Sequence, residues 1–175
     1  MDIKTLENPF VSLRPYESQH IHKTVQWLST PHIQENFGLN NVTLVSHQQW
    51  LEKNQDVLKW AIYTHDYIGN LFLFENAKHH SGYFQIYLGE EDARGKGTGF
   101  QALSLMLDYA FSVRLLHRIW MHCYPSNTSA IKLYEKLGFV FEGLERESIY
   151  KNGQYITQGR WSLLAQEWQA WRNKQ

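Results

Sequence analysis

The order of strand and helix patterns along the 175 residues predicts a mixed α/β (α+β) domain. Residues 80–90, 99–113 and 117–124 read strand, helix, strand; this is a βαβ unit and requires at least a local parallel pair. Residues 60–75 and 139–164 each read as two adjacent strands, the second pair around the Asn152-Gly153 turn signal. No repeat, low-complexity tract or linker interrupts the chain, so one domain over 1–175 is expected, long enough to bury a core.

The elements follow in order. FVSLRPY (10–16) alternates apolar and polar residues as a strand does, and ends at Pro15. In residues 17–29, Ile21, Val25 and Leu28 fall at helical spacing, and Pro31 stops the helix. Residues 46–55 read as a short helix with Ser46 as N-cap. In 60–75, strands lie around Ile62 and Leu71–Phe74 with a turn near His65–Gly69. The 99–113 helix aligns Phe100, Leu103, Leu107, Ala110 and Phe111 on one stripe. Residues 126–139 form a helix with a polar, capping start and Gly138 as its stop.

Composition narrows the function. Lys plus Arg and Asp plus Glu are 17 each, which argues against a nucleic-acid-binding or membrane-surface protein, both of which need excess cation. Cys123 is the single cysteine and cannot form an internal disulfide; it fits a reducing compartment. MDIKTLENPF lacks the apolar stretch of a signal peptide, and no apolar run reaches membrane-spanning length, so a cytoplasmic location is expected. No His/Cys/Asp cluster has metal-ligand spacing, so no metal is expected.

The most informative stretch is DARGKGTGF (92–100), where three glycines stand directly before a helix. A helix start offers unpaired amides and partial positive charge, and glycine lets the backbone approach a phosphate closely. A Walker loop is excluded: Gly89 lies one residue too far from Gly95-Lys96, and Gly97 stands where Ser or Thr would hold magnesium. Gly97-Thr98-Gly99-Phe100-Gln101-Ala102 fits G-x-G-x-x-A, but 117–124 lacks the acidic residue a dinucleotide fold needs. A plain tight turn is the bland alternative. Arg94-Gly95-Lys96-Gly97-Thr98-Gly99 also matches R-x-x-G-x-G.

About 30 residues further on, SNTSAIKLYEKLGF fits N-x-x-A-x-x-x-Y-x-x-x-G-F through Asn127, Ala130, Tyr134, Gly138 and Phe139. In this order the two motifs resemble those of the GNAT superfamily of acetyl-CoA-dependent N-acetyltransferases, across roughly residues 10–165. LHRIWMHCYPSN and the terminal Y-x-N-G-x-Y are most similar to the ribosomal-protein N-terminal and spermidine acetyltransferase branch. The resemblance implies a mixed, mostly antiparallel sheet with a central splayed parallel strand pair flanked by helices.

It also implies acetyl-CoA as co-substrate. Backbone groups of Ile86, Tyr87 and Leu88 would pair with pantetheine, and Arg94, Gly95, Lys96, Gly97, Thr98 and Gly99 would hold the pyrophosphate. Asn127 and Ala130 would border the pantetheine arm, although Asn127 also serves as a plain helix cap. Tyr134 matches the family tyrosine that protonates the departing sulfur, and it equally suits packing beside Leu133 and Leu137. For the base, His122 shares a strand face with Trp120 and Tyr124 and matches the place of a catalytic glutamate in some protein N-terminal acetyltransferases; imidazole suits proton removal at neutral pH. Glu90 is a second candidate, and a water relay would need neither. Cys123 points to the opposite face from His122 and reads as a core thiol.

The acceptor is expected to be a small-molecule or peptide amine, with no nucleic acid and no membrane; a homodimer is the one assembly admitted. Residues 32–45 carry a single acid, Glu35, which argues against a polyamine pocket, while His32, Asn36, Asn40, Asn41, His47 and Trp50 would suit an aminosugar, a nucleotide-linked sugar or a peptide N-terminus. Glu35, Trp50 and Tyr124 are the candidate acceptor contacts, and Glu142, Glu145 and Glu147 could also face the acceptor. A protein N-terminal acetyltransferase and a non-catalytic acyl-CoA-binding module remain the alternatives.

Overall fold

A computed structural model describes residues 3–37 and 41–174. The strands are β1 (Leu6–Glu7), β2 (Ser12–Pro15), β3 (Leu58–Tyr63), β4 (Tyr67–Asn76), β5 (Ser81–Leu88), β6 (Arg118–Cys123), β7 (Val140–Lys151) and β8 (Gln154–Leu164). The helices are α1 (Ile21–Leu28), α2 (Pro31–Phe37), α3 (Leu44–Lys53), α4 (Thr98–Ser112), α5 (Thr128–Lys136) and α6 (Ala165–Arg172). The strands run β1-β2-β3-β4-β5-β6-β8-β7 across one sheet, and β5 with β6 is a parallel pair. This is the mixed, mostly antiparallel architecture the sequence predicts.

Contacts divide the chain into two compact units. The first runs to Glu75 and resumes at Gln85–Met106; the second takes Asn76–Phe84 and everything from Leu107 on. β5 and α4 pass through both.

In the first unit, Leu13, Trp60, Ile62, Leu71 and Leu73 are fully buried where β2, β3 and β4 pair. A cluster of Trp27, Leu28, Ile33, Val57, Phe72 and Tyr87 packs α1 and α2 on the sheet, with Trp50 of α3 against it. Beside it lies a closed polar network. Tyr67 donates to Asn70 Oδ1 (2.8 Å), Asn70 Nδ2 donates to Thr24 (3.0 Å) and to Tyr87 (2.8 Å), and Tyr16 donates to Thr24 (2.8 Å). Thr24 is thereby left to give its own proton to Tyr67 at 2.7 Å, and His47 Nε2, 3.0 Å from Tyr16, to donate there. Satisfied in this way, buried polar groups fix one packing of α1 and α3 on β4.

In the second unit, Ile119, Met121 and Cys123 are buried while Arg118, Trp120 and His122 are half-buried on the other face of β6, the expected alternation. α5 ends as the sequence predicts. Gly138 has φ +86°, its amide donates to Glu135 O (3.0 Å) and that of Phe139 to Tyr134 O (3.0 Å), a Schellman closure that favours glycine. Asn152 and Gly153, both at positive φ, join β7 to β8 with Lys151 opposite Gln154, a type I′ hairpin.

Several boundaries differ from expectation. Thr43, not Ser46, caps α3: its Oγ1 accepts from the Ser46 amide (3.1 Å) and Ser46 Oγ accepts from the Thr43 amide (2.9 Å), a reciprocal box in which Ser46 is the third helical residue. Pro31 does end one helical segment, but it also starts α2, a position where its missing N–H costs nothing. The 17–29 helix begins as a 3-10 turn at Ser18–His20. Gly69 belongs to β4 rather than to the turn, and a Cβ there would lie 2.3 Å from Tyr87 O, so the close approach of the chain at Tyr87 requires glycine. The short β1 and the C-terminal α6 were not anticipated. Among the described residues, no helix is long and apolar enough to cross a membrane.

Candidate active site

The glycine loop lies in the first unit. A 3-10 turn (Glu91–Ala93) leads into it, Gly95 has φ +72° and Gly97 φ +82°, and α4 starts at Thr98. A Cβ at Gly95 or Gly97 would meet nothing within 4 Å, so backbone conformation rather than crowding by the protein requires glycine there. Gln101 N donates to Gly97 O (3.1 Å) as the first helical bond. The amides of Gly97, Thr98 and Gly99 therefore have no acceptor within the helix, and they sit at the positive end of a 15-residue dipole. Lys96 is exposed beside them.

Arg94 is oriented differently from the phosphate contact expected. Its Nε donates to Leu88 O (3.0 Å) and its Nη2 to Gly89 O (3.1 Å), tying the end of β5 to the start of the loop. The parallel ladder between β5 and β6 pairs only Ser81, Gly82 and Tyr83 with Arg118, Ile119 and Trp120. The backbone of Ile86, Tyr87 and Leu88 lies beyond that ladder. The Tyr87 side chain is buried and its hydroxyl accepts from Asn70, so only the Tyr87 backbone is suited to a ligand.

Glu90, one of the two candidate bases, is already paired. Lys23 Nζ lies 2.8 Å from its Oε1, and Trp27 Nε1 donates to the same oxygen at 3.3 Å. The hydrogen bond from Lys23 leads the effects that hold its carboxyl below the usual range. The Lys23 ammonium also sits over the rings of Trp27 (5.1 Å) and Tyr67 (5.8 Å).

The second unit holds the other candidates. His122 Nε2 stands 3.0 Å from Glu145 Oε2, and Arg160 Nε stands 3.1 Å from Glu145 Oε1. Neither nitrogen is aligned for a hydrogen bond, so both are close electrostatic contacts. Desolvation raises the Glu145 carboxyl, but His122, Arg160 and Gln158 together outweigh it and hold it below its ordinary range. Trp120 meets the His122 ring edge-on (5.2 Å), and Arg160 covers the Trp120 ring (4.7 Å). Tyr124 follows β6 half-buried, its phenol raised by burial and then by Tyr83.

Tyr134 is 7% exposed on α5, with Phe84 and Phe139 around its ring. No hydrogen bond reaches its hydroxyl among the described residues, and burial pushes the phenol far above its ordinary value. Asn127 caps α5, its Oδ1 accepting from Ala130 N (3.2 Å) and from Ser129 Oγ (3.1 Å). Cys123 is buried and its thiol is pushed up to about 11 by desolvation. Trp50 packs on His47, with rings 5.9 Å apart and nearly parallel, and on Phe72. Glu35 is exposed on α2; residues 38–40 of the adjoining stretch lie outside the described residues. Among the described residues, no group of His, Cys, Asp or Glu could hold a metal ion.

Residues 11–140, a span running through both units, match the acetyltransferase (GNAT) domain family. The chain belongs to that family. Among curated GNAT relatives, the spermidine N(1)-acetyltransferase of Vibrio cholerae is 39% identical over 98 residues, 55% of this chain and 56% of the relative. That of Escherichia coli is 38% identical over 80 residues, 46% and 42% of the two chains. The chain thus spans about half the length of these curated relatives. Among solved structures, the V. cholerae spermidine N-acetyltransferase in complex with CoA and spermine superposes with TM-score 0.85 at 25% identity, covering 93% of this chain and 99% of that one. A GNAT-family acetyltransferase from Bacillus anthracis, TM-score 0.83 at 17% identity over 93% and 99% of the chains, shares the fold.

Sequence reasoning did not find the pairing of Glu145 with His122 and Arg160, nor that of Lys23 with Glu90. The first depends on strand register across β6, β8 and β7; the second joins residues far apart in the chain.

Proposed function

We propose that this GNAT domain transfers an acetyl group from acetyl-CoA to a primary amine of a polyamine. The observation that carries the reading is the loop at Gly95–Gly99: two residues at positive φ, open space where side chains would stand, and amides at the start of a 15-residue helix. Such a cradle suits a pyrophosphate, and the β5 backbone at Ile86–Leu88, beyond its ladder with β6, suits an amide-bearing arm.

Bound acetyl-CoA supplies the electrophilic thioester carbonyl and a thiol leaving group. His122 takes a proton from the acceptor ammonium, because only the neutral amine is nucleophilic. Tyr134 holds its proton at every working pH, burial having raised its phenol, and gives it up at the departing sulfur. Glu90, held ionised by Lys23, is the weaker base.

The acceptor reading rests on the two spermidine acetyltransferases among the relatives and on the solved neighbour holding spermine. It replaces the aminosugar favoured by the sequence alone.

The test is thiol release from acetyl-CoA across spermidine, spermine, aminosugars and peptides with free N-termini. Spermidine or spermine is expected to give the highest kcat/KM. Turnover confined to peptides would mean a protein N-terminal acetyltransferase, and CoA binding without turnover on any amine a non-catalytic acyl-CoA module.

A further inference from the structure

The face of β6 carrying His122 holds a charge arrangement that acetyl transfer by His122 alone does not require. His122 on β6 stands opposite Arg160 on β8, and Glu145 on β7 stands opposite Gln158. The β7–β8 register shifts between Phe141 and Gly143 and again between Glu145 and Ile149. In between, Glu145 reaches both His122 (3.0 Å) and Arg160 (3.1 Å), while Gln158 Nε2 donates to it at 3.4 Å. His122 Nε2 and Arg160 Nε are buried atoms without an aligned partner, although the side chains of His122, Glu145 and Arg160 keep 20%, 32% and 41% of their exposure. Two buried N–H donors stand at contact distance from one carboxylate, and a small turn of the Glu145 side chain would align either contact as a hydrogen bond.

We propose that Glu145 is a positioning residue for His122: it fixes the imidazole with the Nε2 proton toward its own carboxylate and stabilises the imidazolium formed when Nδ1 takes the acceptor's proton. The step balances: R-NH3⁺ and neutral His122 become R-NH2 and protonated His122, with no other reactant. Arg160 holds the second carboxylate oxygen and, lying over Trp120, limits how far Glu145 can swing. The groups facing the ring are Glu145 from β7, Arg160 from β8, and Tyr83 from β5 with its ring centroid at 6.2 Å. Of these, Glu145 alone is an acid held below its ordinary range. The proposal rests on the acetyl-transfer reading above.

The experiment compares wild type, Glu145→Gln, Glu145→Asp, His122→Gln and the Glu145→Gln/His122→Gln double variant. It reads kcat/KM for spermidine from pH 5.5 to 9 and follows the His122 ring by long-range proton–nitrogen NMR. Glu145→Gln is expected to lower kcat/KM about tenfold, move the acid limb of the profile by roughly half a pH unit or more, and shift the His122 ring signals, with CoA affinity and melting temperature kept. Glu145→Asp should restore part of the rate, and the double variant should be no slower than His122→Gln. Multiplying losses in the double variant, an unmoved acid limb or unchanged ring signals would overturn the proposal while leaving acetyl transfer intact. Absence of turnover in the wild type would overturn the acetyl-transfer reading and this base step together.

Discussion

Replacing Tyr134 by Phe separates the two roles that a buried tyrosine on α5 can have. Its ring is buried, the residue being 7% exposed, and nothing among the described residues bonds to its hydroxyl, which is not among the buried polar atoms left without a partner. A hydroxyl that reaches water carries no unsatisfied-burial cost, so its removal changes stability little. Removing the oxygen leaves the ring contacts with Phe84 (6.0 Å) and Phe139 (5.8 Å) in place, so little cavity cost arises. Tyr134→Phe is therefore expected to leave the melting temperature within about 2 °C of wild type. Loss of a general acid is expected to lower kcat by about 10²–10⁴, or roughly 3–5 kcal/mol of barrier. Melting curves, CoA calorimetry and thiol release on one preparation make the comparison. Undiminished turnover would refute the acid role. A lower melting temperature with a proportionate activity loss would instead make Tyr134 a packing residue.

Other consequences are as direct. Gly97→Ala places a Cβ at φ +82°, costing about 1–2 kcal/mol of strain or flattening the cradle; CoA affinity by calorimetry should fall at least tenfold, and unchanged affinity would remove the loop from the cofactor site. Gly89→Ala would set a Cβ 1.9 Å from the Trp27 ring, so Trp27 must move and its contact with Glu90 must break; urea unfolding should show a loss of about 1–3 kcal/mol. Arg118, in two 2.6 Å contacts, holds Glu142 down to about 2, which makes Glu142 stabilising above its unfolded pKa and lost as pH falls from about 4.5 toward 2. Glu142→Gln should flatten acid unfolding in that window; an unchanged acid midpoint would mean that solvent screens the pair. Burial raises Tyr16 to about 12, so its contribution is intact below pH 10 and lost as pH climbs toward 12. Tyr16→Phe should lessen alkaline unfolding there.

The parts of the fold legible in sequence are those specified by neighbours along the chain. The α5 cap at Asn127, its Gly138 closure and the Asn152-Gly153 turn are all short-range devices, and each stands where the residues place it. The glycine loop was legible for the same reason, its positive φ values requiring particular residues. α6 was missed because Leu164 is not a usual cap residue; the signal was Glu167, which accepts from the Leu164 amide at 2.8 Å. α2 is hidden in the sequence because Pro31 reads equally as the stop of one helix and the first residue of the next. Arg94 has the residue type of a phosphate ligand, yet its side chain turns to the carbonyls of Leu88 and Gly89, a choice made by tertiary geometry. Glu145 could be named from sequence as an exposed-strand acid, but its pairing with His122 needed the β6-β8-β7 order and two register shifts to be known.

Acetyl transfer from CoA to a polyamine amine is read out by thiol release with acetyl-CoA and spermidine, followed by mass analysis of the product. Stoichiometric thiol and a product heavier by one acetyl group are expected, both formed about 10²–10⁴ more slowly by Tyr134→Phe. CoA bound at the glycine loop with no acetylated spermidine, spermine or other amine formed would contradict acetyl transfer.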